Sequence, residues 1–367
     1  MRAYEMSCLA PALVDTYGSR MPLTSTRVRT ANLDTHYLQQ GSGDKAVVLV
    51  HGFPQTSHQW RHQIAALADA GYAVFAPDNR GFGATEKPGA RVSRALLADD
   101  VMRFLDAVGI EKTILVGHDW GGIIAFKTAI DNPDRITRLA LLDTLCTVWS
   151  PGAVHGYWFK AEGLAEELFR TRHREFIEVL FGGADSATLG VRPASPWPIP
   201  PGPRGRPSWI SDDDLSTYVR AFSDPDVWAH AISYYRYALP FHVVSVGDNG
   251  RESFRSVSER EVEAMWRHPD GLEKHPLFTE FLDYGPEDRA KTFPNPALWL
   301  YGTYLGRAAS TPAADPTRTP TRNPFVDQFT RYFPDLRSRS IAAGHFLGEE
   351  APDAVNEQLL AFCVGDQ

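Results

Sequence analysis

The chain has 367 residues, of which 43% are hydrophobic and 22% charged, as is typical of a globular protein with one large core or a core plus a smaller domain. Its net charge of −8 argues against a nucleic acid or an anionic membrane surface as a partner. Neither a membrane-spanning run nor a secretory signal is visible, and three scattered cysteines fit neither a disulfide framework nor a metal site, so we expect a cytoplasmic protein.

Residues 1–30 have the pattern of a loosely held extension, and from Leu33 onward short apolar strands alternate with amphipathic helices. The predicted strands cover residues 46–50, 72–76, 113–116 and 139–142, and the predicted helices cover residues 58–70, 93–108 and 121–131. This alternation predicts βαβ units and a parallel sheet with helices on both faces.

The alternation stops after Asp143 and resumes with predicted strands at residues 297–301 and 338–341 and a helix at residues 353–362. The segment between is aromatic and helix-like, and loops are predicted at residues 191–207, 247–258 and 307–323. We therefore expect an α/β fold with a mostly parallel, doubly wound sheet, formed by residues 31–146 and 293–367. A helical cap is expected at residues 147–292.

A carboxylate stands where a predicted strand turns into a helix. Gly117 and Gly121, two residues before and two after Asp119, allow the sharp turn of a nucleophile elbow, where a serine is usual. A carboxylate that attacks a carbonyl makes only an anhydride, which reverts. At a saturated carbon with a leaving group it forms a stable ester. Asp119 therefore predicts alkyl rather than acyl chemistry.

Such a nucleophile needs an oxyanion hole, a base that activates water, and a group that orients the base. The backbone amides of Phe53 and Trp120 are candidates for the oxyanion hole. His345 follows the last predicted strand, at the sheet edge where ligands bind, and is the candidate base. Asp143 ends a strand at the same edge and can orient the imidazole. No metal or organic cofactor is required.

Four motifs carry a resemblance to one family. In chain order they are HGFPQTSHQWRHQ (residues 51–63), APDNRGFGATEKP (76–88), VGHDWGG (116–122) and AAGHF (342–346). Together they resemble α/β-hydrolases of the epoxide hydrolase and haloalkane/haloacetate dehalogenase group, which implies the α/β-hydrolase fold. Many epoxide hydrolases carry the orienting acid after the seventh strand, where this chain has no carboxylate. Fluoroacetate dehalogenases carry it after the sixth strand, and Asp143 is similar to that acid.

The resemblance leaves an epoxide or a halide as the group that Asp119 displaces. Epoxide hydrolases use two cap tyrosines that donate to the opening ring, and Tyr218 and Tyr235 are similar to them. Tyr234 is the alternative to its neighbour, although the family's Tyr-Arg pairing favours Tyr235.

Two features argue against a haloacid. Fluoroacetate dehalogenases carry a His-Trp pair in the cap, where this chain has Tyr157 and Trp158, and arginines after the nucleophile, where it has Trp120 and Ile123. A haloacid would then bury its carboxylate unpaired, at a cost of several kcal/mol.

We therefore expect an epoxide hydrolase whose partners are water and a neutral, hydrophobic epoxide. Further substrate contacts are expected from His51, Pro54, Tyr157, Trp158, Tyr234 and Phe346. A haloalkane dehalogenase stays open, because Trp120 also suits halide binding. Two further alternatives also stay open: an enzyme that rearranges epoxides, and a non-catalytic protein that binds a hydrophobic ligand. The sequence leaves a homodimer open.

Overall fold

The computed structural model describes residues 22–89, 91–149, 154–181, 208–266, 268, 274–278, 280–302 and 324–365. Two predicted loops, at residues 191–207 and 307–323, lie outside these ranges, as does most of the predicted extension. None of the helices within the described ranges is both long and apolar enough to cross a membrane.

The strands in the described ranges are β1 (Thr24–Arg29), β2 (Asp34–Gln40), β3 (Ala46–Val50), β4 (Ala73–Pro77), β5 (Thr113–His118), β6 (Ile136–Leu142), β7 (Val148–Trp149), β8 (His242–Val246), β9 (Glu252–Ser256), β10 (Leu282–Asp283), β11 (Ala297–Tyr301) and β12 (Leu336–Ser340). The helices are α1 (Arg61–Asp69), α2 (Arg94–Ala107), α3 (Trp120–Asp131), α4 (Val154–Lys160), α5 (Leu164–Leu180), α6 (Asp212–Ala221), α7 (Pro225–Tyr237), α8 (Glu259–Trp266), α9 (Pro324–Tyr332), α10 (Leu347–Glu350) and α11 (Pro352–Val364).

The main sheet has the order β1-β2-β4-β3-β5-β6-β11-β12, with β2 antiparallel to both neighbours and the strands from β4 onward parallel. Side chains of β3 alternate between two hydrophobic cores: Val48 and Val50 face α2 and α3, whereas Val47 and Leu49 face α1 and α11. Burial on both faces explains why the parallel strands are continuous apolar runs. The predicted α/β fold with a mostly parallel sheet is confirmed.

The parallel strands end at one edge of the sheet, and this edge positions the predicted site. Asp119 follows β5, Asp143 follows β6, and His345 lies on the loop after β12. In an open parallel sheet this carboxyl edge is where ligands bind.

Two polar stretches form strands, and the predictions for them were wrong. Residues 24–29 were expected in a loose extension but pair with β2 along their whole length as β1. Residues 247–258 were expected to be a loop, but β9 pairs with β8 across a turn in which Gly250 has φ +74°. Both β1 and β9 are edge strands with largely exposed side chains, so they lack the apolar run that marks a buried strand.

The described residues between β6 and β11, hereafter the insertion, contain α4 to α8 and a second sheet of order β7-β10-β8-β9. This sheet was missed when the segment was predicted to be helical, because β7 and β10 are only two residues long. Helix α7 of the insertion lies directly over the start of α3, with the rings of Tyr235 and Trp120 5.0 Å apart. The insertion therefore covers the carboxyl edge of the main sheet.

A buried ion cluster joins the end of the insertion to the core. The Asp288 carboxylate is completely buried and lies 2.6 Å from Lys127 Nζ on α3 and 2.8 Å from Arg94 Nη1 on α2. Each cation has a second, more exposed partner, Asp131 for Lys127 and Glu287 for Arg94. The charge of Asp288 is thus the shared centre of the cluster.

We expect Asp288→Ala to lower the free energy of unfolding by about 3 kcal/mol, because it leaves two buried cations short of a partner. Glu287→Ala is the matched control, and loss of this half-exposed carboxylate should lower it by less than ~1 kcal/mol. Urea unfolding of both variants measures the difference. Equal losses would show that the buried cluster does not hold the insertion to the core.

Candidate active site

Asp119 lies at the sharp turn between β5 and α3, with φ 49° and ψ −120°, angles that few residues other than glycine adopt. Two glycines make the turn fit. A Cβ on Gly117 would lie 2.2 Å from the Gly121 carbonyl oxygen, and a Cβ on Gly121 would lie 2.0 Å from that of Val50. The turn leaves 18% of the Asp119 side chain exposed. The structure thus places an accessible carboxylate at the N-terminus of α3.

The turn after β3 approaches this carboxylate closely. The Phe53 amide donates a hydrogen bond to Asp119 Oδ1 at 2.8 Å. Gly52 permits the approach, because a Cβ there would lie 2.6 Å from the Asp119 Cβ. The Trp120 amide belongs to the first turn of α3, whose N–H groups have no partner within the helix. Of the two predicted oxyanion donors, one therefore already binds the carboxylate and the other lies at the helix terminus next to it.

His345 connects Asp119 to Asp143. Its Nδ1 lies 2.7 Å from Asp143 Oδ2, and its Nε2 lies 3.6 Å from Asp119 Oδ2. The Asp143 side chain is completely buried, and its Oδ1 accepts a hydrogen bond from the Gly302 amide at 2.8 Å. Gly302 directly follows β11, the strand after which many epoxide hydrolases carry their own acid. Here that position supplies a donor that fixes the acid from β6.

These three side chains favour a charged resting state. Burial raises the pKa of Asp119, but the hydrogen bond and charge of His345 outweigh it and leave the pKa below its usual range. Burial lowers the pKa of His345, but the nearby carboxylate of Asp119 and the hydrogen-bonded carboxylate of Asp143 outweigh it and raise the pKa to about 10. The site therefore holds a carboxylate beside an imidazolium at neutral pH.

Tyr235 faces Asp119 from α7. Burial and the charge of Asp119 raise its pKa well above the usual range, so the hydroxyl stays protonated. The Trp120 ring approaches the phenol ring edge-on, with ring centroids 5.0 Å apart and an interplanar angle of 87°. The phenol ring also stacks on Phe159 at 4.2 Å with an interplanar angle of 7°. Tyr235 is thus held by contacts with two aromatic rings, and its hydroxyl carries a proton.

His155 on α4 lies in the same pocket and was missed by the sequence analysis. Its ring is 5.7 Å from Tyr235 and 5.1 Å from Trp149. Burial lowers the pKa of His155 to about 4, and the nearby charge of Asp119 opposes the shift only in part. The only sequence signal is Gly156, whose Cβ would lie 2.3 Å from the Trp149 ring, so glycine lets α4 approach. A lone histidine in a predicted helix does not by itself indicate that His155 lies beside Tyr235.

The ionisable groups of the site are paired carboxylates and imidazoles beside a phenol. They can perform nucleophilic attack by Asp119, proton transfer at His345 and hydrogen-bond donation from Tyr235. Among the residues that the structure describes, no group of three or more His, Cys, Asp or Glu side chains is arranged to hold a metal ion.

A family model described as "alpha/beta hydrolase fold" matches residues 45–352. The chain belongs to the α/β-hydrolase fold family. It is 32% identical over 232 residues to epoxide hydrolase 3 of Siraitia grosvenorii, covering 57% of this chain and 71% of that protein. It is 31% identical over 204 residues to epoxide hydrolase A of Mycobacterium tuberculosis, covering 49% of this chain and 63% of that protein.

A solved epoxide hydrolase from an endophytic Streptomyces has a TM-score of 0.64 with this chain at 24% identity, covering 94% of this chain and 96% of that one. Epoxide hydrolase CorEH has a TM-score of 0.63 at 22% identity, covering 93% of this chain and 99% of that one. At these identities the structural likeness shows the fold alone. The sequence relatives place this α/β-hydrolase with the epoxide hydrolase type.

Two tyrosines that were predicted to contact substrate make their hydrogen bonds elsewhere in this α/β-hydrolase. The Tyr218 hydroxyl donates to Glu349 Oε1 at 2.9 Å, and its ring stacks on Phe181 at 4.9 Å. The Tyr234 hydroxyl donates to the Arg80 carbonyl oxygen at 2.9 Å. Adjacent helix positions point about 100° apart, so only one of two neighbouring tyrosines can face Asp119. Tyr218 is thus corrected from a ring donor to a contact between α6 and α10.

The predicted cap pair Tyr157 and Trp158 belongs to the interior of the insertion. The Tyr157 hydroxyl donates to the Leu277 carbonyl oxygen at 3.2 Å, and its ring is fully buried. Trp158 is half-buried and stacks on Phe176 at 5.9 Å. These contacts stabilise the insertion, and the residue of α4 that approaches Asp119 lies two positions before Tyr157.

The remaining predicted contact residues lie in or next to the loops around Asp119 and His345. His51 is completely buried, with Nε2 accepting from the Asn79 amide at 2.9 Å and Nδ1 donating to a neighbouring carbonyl at 2.9 Å. Both ring nitrogens are used, so His51 is corrected from a substrate contact to a support of the turn after β3. Pro54 is buried in that turn. The Phe346 ring lies 5.1 Å from His345 and is 8% exposed.

Proposed function

We propose that this α/β-hydrolase is an epoxide hydrolase that converts a neutral, hydrophobic epoxide to a vicinal diol through an ester on Asp119. The observation that carries the proposal is an accessible carboxylate with a histidine base on one side and a protonated phenol on the other. The similar proteins from Siraitia grosvenorii and Mycobacterium tuberculosis are epoxide hydrolases by name, which supports the same activity. Residues 147–292 would form the cap over a core of residues 31–146 and 293–367.

In the first step, an Asp119 oxygen attacks one ring carbon from the side opposite the breaking C–O bond. The electron pair of that bond passes to the ring oxygen, which receives its proton from Tyr235. His155, a neutral imidazole with one N–H, is the second donor to this oxygen. His155 thereby takes the role that the sequence assigned to Tyr218. The product is a β-hydroxyalkyl ester on Asp119.

In the second step, His345 takes a proton from water, and the water oxygen attacks the ester carbonyl carbon. The Phe53 and Trp120 amides stabilise the negative charge on the carbonyl oxygen. The bond between this carbon and the alkyl oxygen then breaks, the alkoxide takes the proton of the attacking hydroxyl, and the diol leaves. Asp119 regains its carboxylate with one oxygen from water. The proton taken from water leaves His345 as an imidazolium, and the proton that His345 released after ester formation restores the Tyr235 phenol.

The charge on Asp119 sets the order of the two steps. While Asp119 is a carboxylate, it helps keep His345 protonated, so water is not activated before the substrate reacts. Forming the ester removes that charge. The pKa of His345 then falls, so the imidazolium releases its proton, the Tyr235 phenolate takes up a proton, and the neutral imidazole can act as a base. Ester formation itself prepares the base for hydrolysis.

The aromatic wall around Asp119 supports a neutral, hydrophobic substrate. Its described rings belong to Phe53, Trp120, Trp149, Phe159 and Tyr235. A haloalkane would also fit such a wall, but an opening epoxide needs a proton donor, and the protonated phenol of Tyr235 is one. This phenol favours the epoxide over the halide.

A substrate panel tests the proposal. Styrene-like, aliphatic and bulky polycyclic epoxides are incubated beside haloalkanes in H₂¹⁸O, with diol detected by mass spectrometry and halide by a release assay. We expect diol from epoxides, with ¹⁸O entering only after the first turnover because the first oxygen comes from Asp119. Halide without diol would instead show a dehalogenase, and a product without added oxygen would show a rearrangement. A protein that binds these ligands without turnover would contradict both enzymatic functions.

The two tyrosines provide a matched pair of variants. Tyr235→Phe should slow ester formation roughly 10- to 100-fold, the value of a hydrogen bond to a charged oxygen. Tyr218→Phe also removes a phenol oxygen, but this one is bound to Glu349, so the rate of ester formation should stay nearly unchanged. Single-turnover kinetics measures both. A larger loss in Tyr218→Phe than in Tyr235→Phe would reverse the assignment.

A further inference from the structure

The loop that carries His345 has little regular structure of its own. Residues 341–346 join β12 to α10 without helix or strand. A catalytic side chain on such a loop is placed only as well as the backbone on either side of it is held. The contacts of the amides that flank His345 are therefore informative.

One carboxylate binds both flanking amides. The Gly344 amide donates to Glu350 Oε2 at 2.6 Å, and the Phe346 amide donates to Glu350 Oε1 at 2.8 Å. The two oxygens of Glu350 thus hold the backbone immediately before and immediately after His345. Hydrogen bonds to an ionised acceptor are about twice as strong as neutral ones.

Gly344 is shaped for this contact. A Cβ at this position would lie 2.8 and 2.9 Å from the two Glu350 oxygens, closer than side-chain carbons normally come. Any larger residue would push the carboxylate away from the loop. The glycine of the AAGHF motif is thus explained by the carboxylate beside it.

Of the two adjacent acids on α10, only Glu350 binds the amides that flank His345. Glu349 points to the other side of α10, where its carboxylate binds Arg61, Gln55 and Tyr218. It therefore takes part in the contact between the core and helix α6 of the insertion. Two adjacent acids on one short helix serve two different partners.

We propose that Glu350 is a positioning residue that fixes the His345 backbone so that the imidazole is held between Asp143 and Asp119. The inference rests on the proposed function, in which His345 is the base of the second step. The Glu350 carboxylate acts on His345 through the Gly344 and Phe346 amides. Loss of Glu350 loosens the placement of His345 and slows hydrolysis of the ester, while attack by Asp119 continues.

Glu350 also contributes charge. The titratable groups that face the His345 imidazole come from three elements and from the turns after β5 and β6; they are Asp119, Asp143, His118, His155 and Glu350. Burial raises the pKa of Glu350, and the two amides and the His345 charge oppose that shift. Removing a negative charge from this group lowers the pKa of His345 in the ester, because the imidazolium loses part of its stabilisation.

The test compares Glu350→Gln and Glu350→Ala with the full chain, measuring ester formation and ester hydrolysis separately in single-turnover experiments. We expect hydrolysis to slow roughly 10- to 100-fold in Glu350→Ala, and less in Glu350→Gln, which keeps one accepting oxygen. Ester formation should stay close to the unaltered rate, and the pH profile of hydrolysis should move to lower pH. Glu357→Ala, at an exposed position on α11, is the control and should change neither step.

Gly344→Ala provides a second variant, in which the Glu350 carboxylate is still present but the added Cβ pushes it away from the loop. It should reproduce the selective loss of hydrolysis. Equal slowing of both steps, with no shift of the pH profile, would show a merely structural role and overturn the proposal. Unchanged hydrolysis in Glu350→Ala would overturn it as well. If the unaltered chain forms no ester and no diol from any epoxide, the proposed function fails instead, so the two failures are distinguishable.

Discussion

Replacing His345 by Gln should stop turnover after the first chemical step and leave the substrate bound covalently to Asp119. The carboxylate can still attack, because its Oδ1 keeps the hydrogen bond from the Phe53 amide. Glutamine cannot take a proton from water, so the ester persists. General base catalysis by a placed histidine is worth about 10²- to 10⁴-fold, and steady-state diol formation should fall by that factor.

Intact-protein mass spectrometry measures the outcome of His345→Gln. Because an epoxide adds without losing an atom, the protein should gain the whole mass of one substrate molecule, and peptide mapping should place it on Asp119. The double variant with Asp119→Ala is the control and should gain no mass. Continued diol formation without an adduct would contradict the covalent scheme.

Replacing Asp143 by Asn should slow hydrolysis of the ester about as much as replacing His345 by Gln. The Asp143 side chain is completely buried, 2.7 Å from His345 Nδ1, and it helps raise the pKa of that histidine. An amide there keeps the shape and can still accept from the Gly302 amide, but it no longer stabilises the imidazolium. In a comparable Ser-His-Asp site, the same change costs about 10⁴-fold in kcat, and we expect a loss of at least 10³-fold in ester hydrolysis.

Single-turnover kinetics separates the two steps for Asp143→Asn. The ester should accumulate, and its hydrolysis should show a lower apparent pKa than in the unaltered enzyme, because the carboxylate that raises the pKa of His345 is gone. Asp106→Asn changes a half-exposed carboxylate and serves as the control. Normal hydrolysis in Asp143→Asn would mean that another acid orients His345.

Much of the core was predictable because its signals are local. The bounds predicted for β3 and β11 agree with those of the structure, since each is an apolar run that crosses a sheet buried on both faces. The elbow was predictable for a similar reason, because Gly117 and Gly121 flank Asp119 at a fixed spacing. Strands β1 and β9 gave no such signal, because what stabilises them is pairing with a neighbour, which composition does not show.

The insertion shows where sequence reasoning stops. Tyr218, Tyr234 and Tyr235 are all buried, and only the third faces Asp119. Their difference lies in the partner of each hydroxyl, which depends on how α6 and α7 pack on the core. His155 was missed for the same reason, since its neighbours Trp149 and Tyr235 come from separate segments of the chain. Roles that depend on packing between distant segments cannot be predicted from the sequence alone.

The contact between the Trp120 and Tyr235 rings bears on how enzymes with this scaffold diverge. An indole N–H suits a departing halide ion, whereas a phenol O–H suits an opening epoxide. A lineage in which Tyr235 lost its hydroxyl would keep the indole beside an unchanged nucleophile and an unchanged base. The same substitution would remove the proton source that an opening epoxide needs. Two leaving-group preferences would thus be separated by a single oxygen atom, and a gene duplicate could cross between them without rebuilding its catalytic carboxylate.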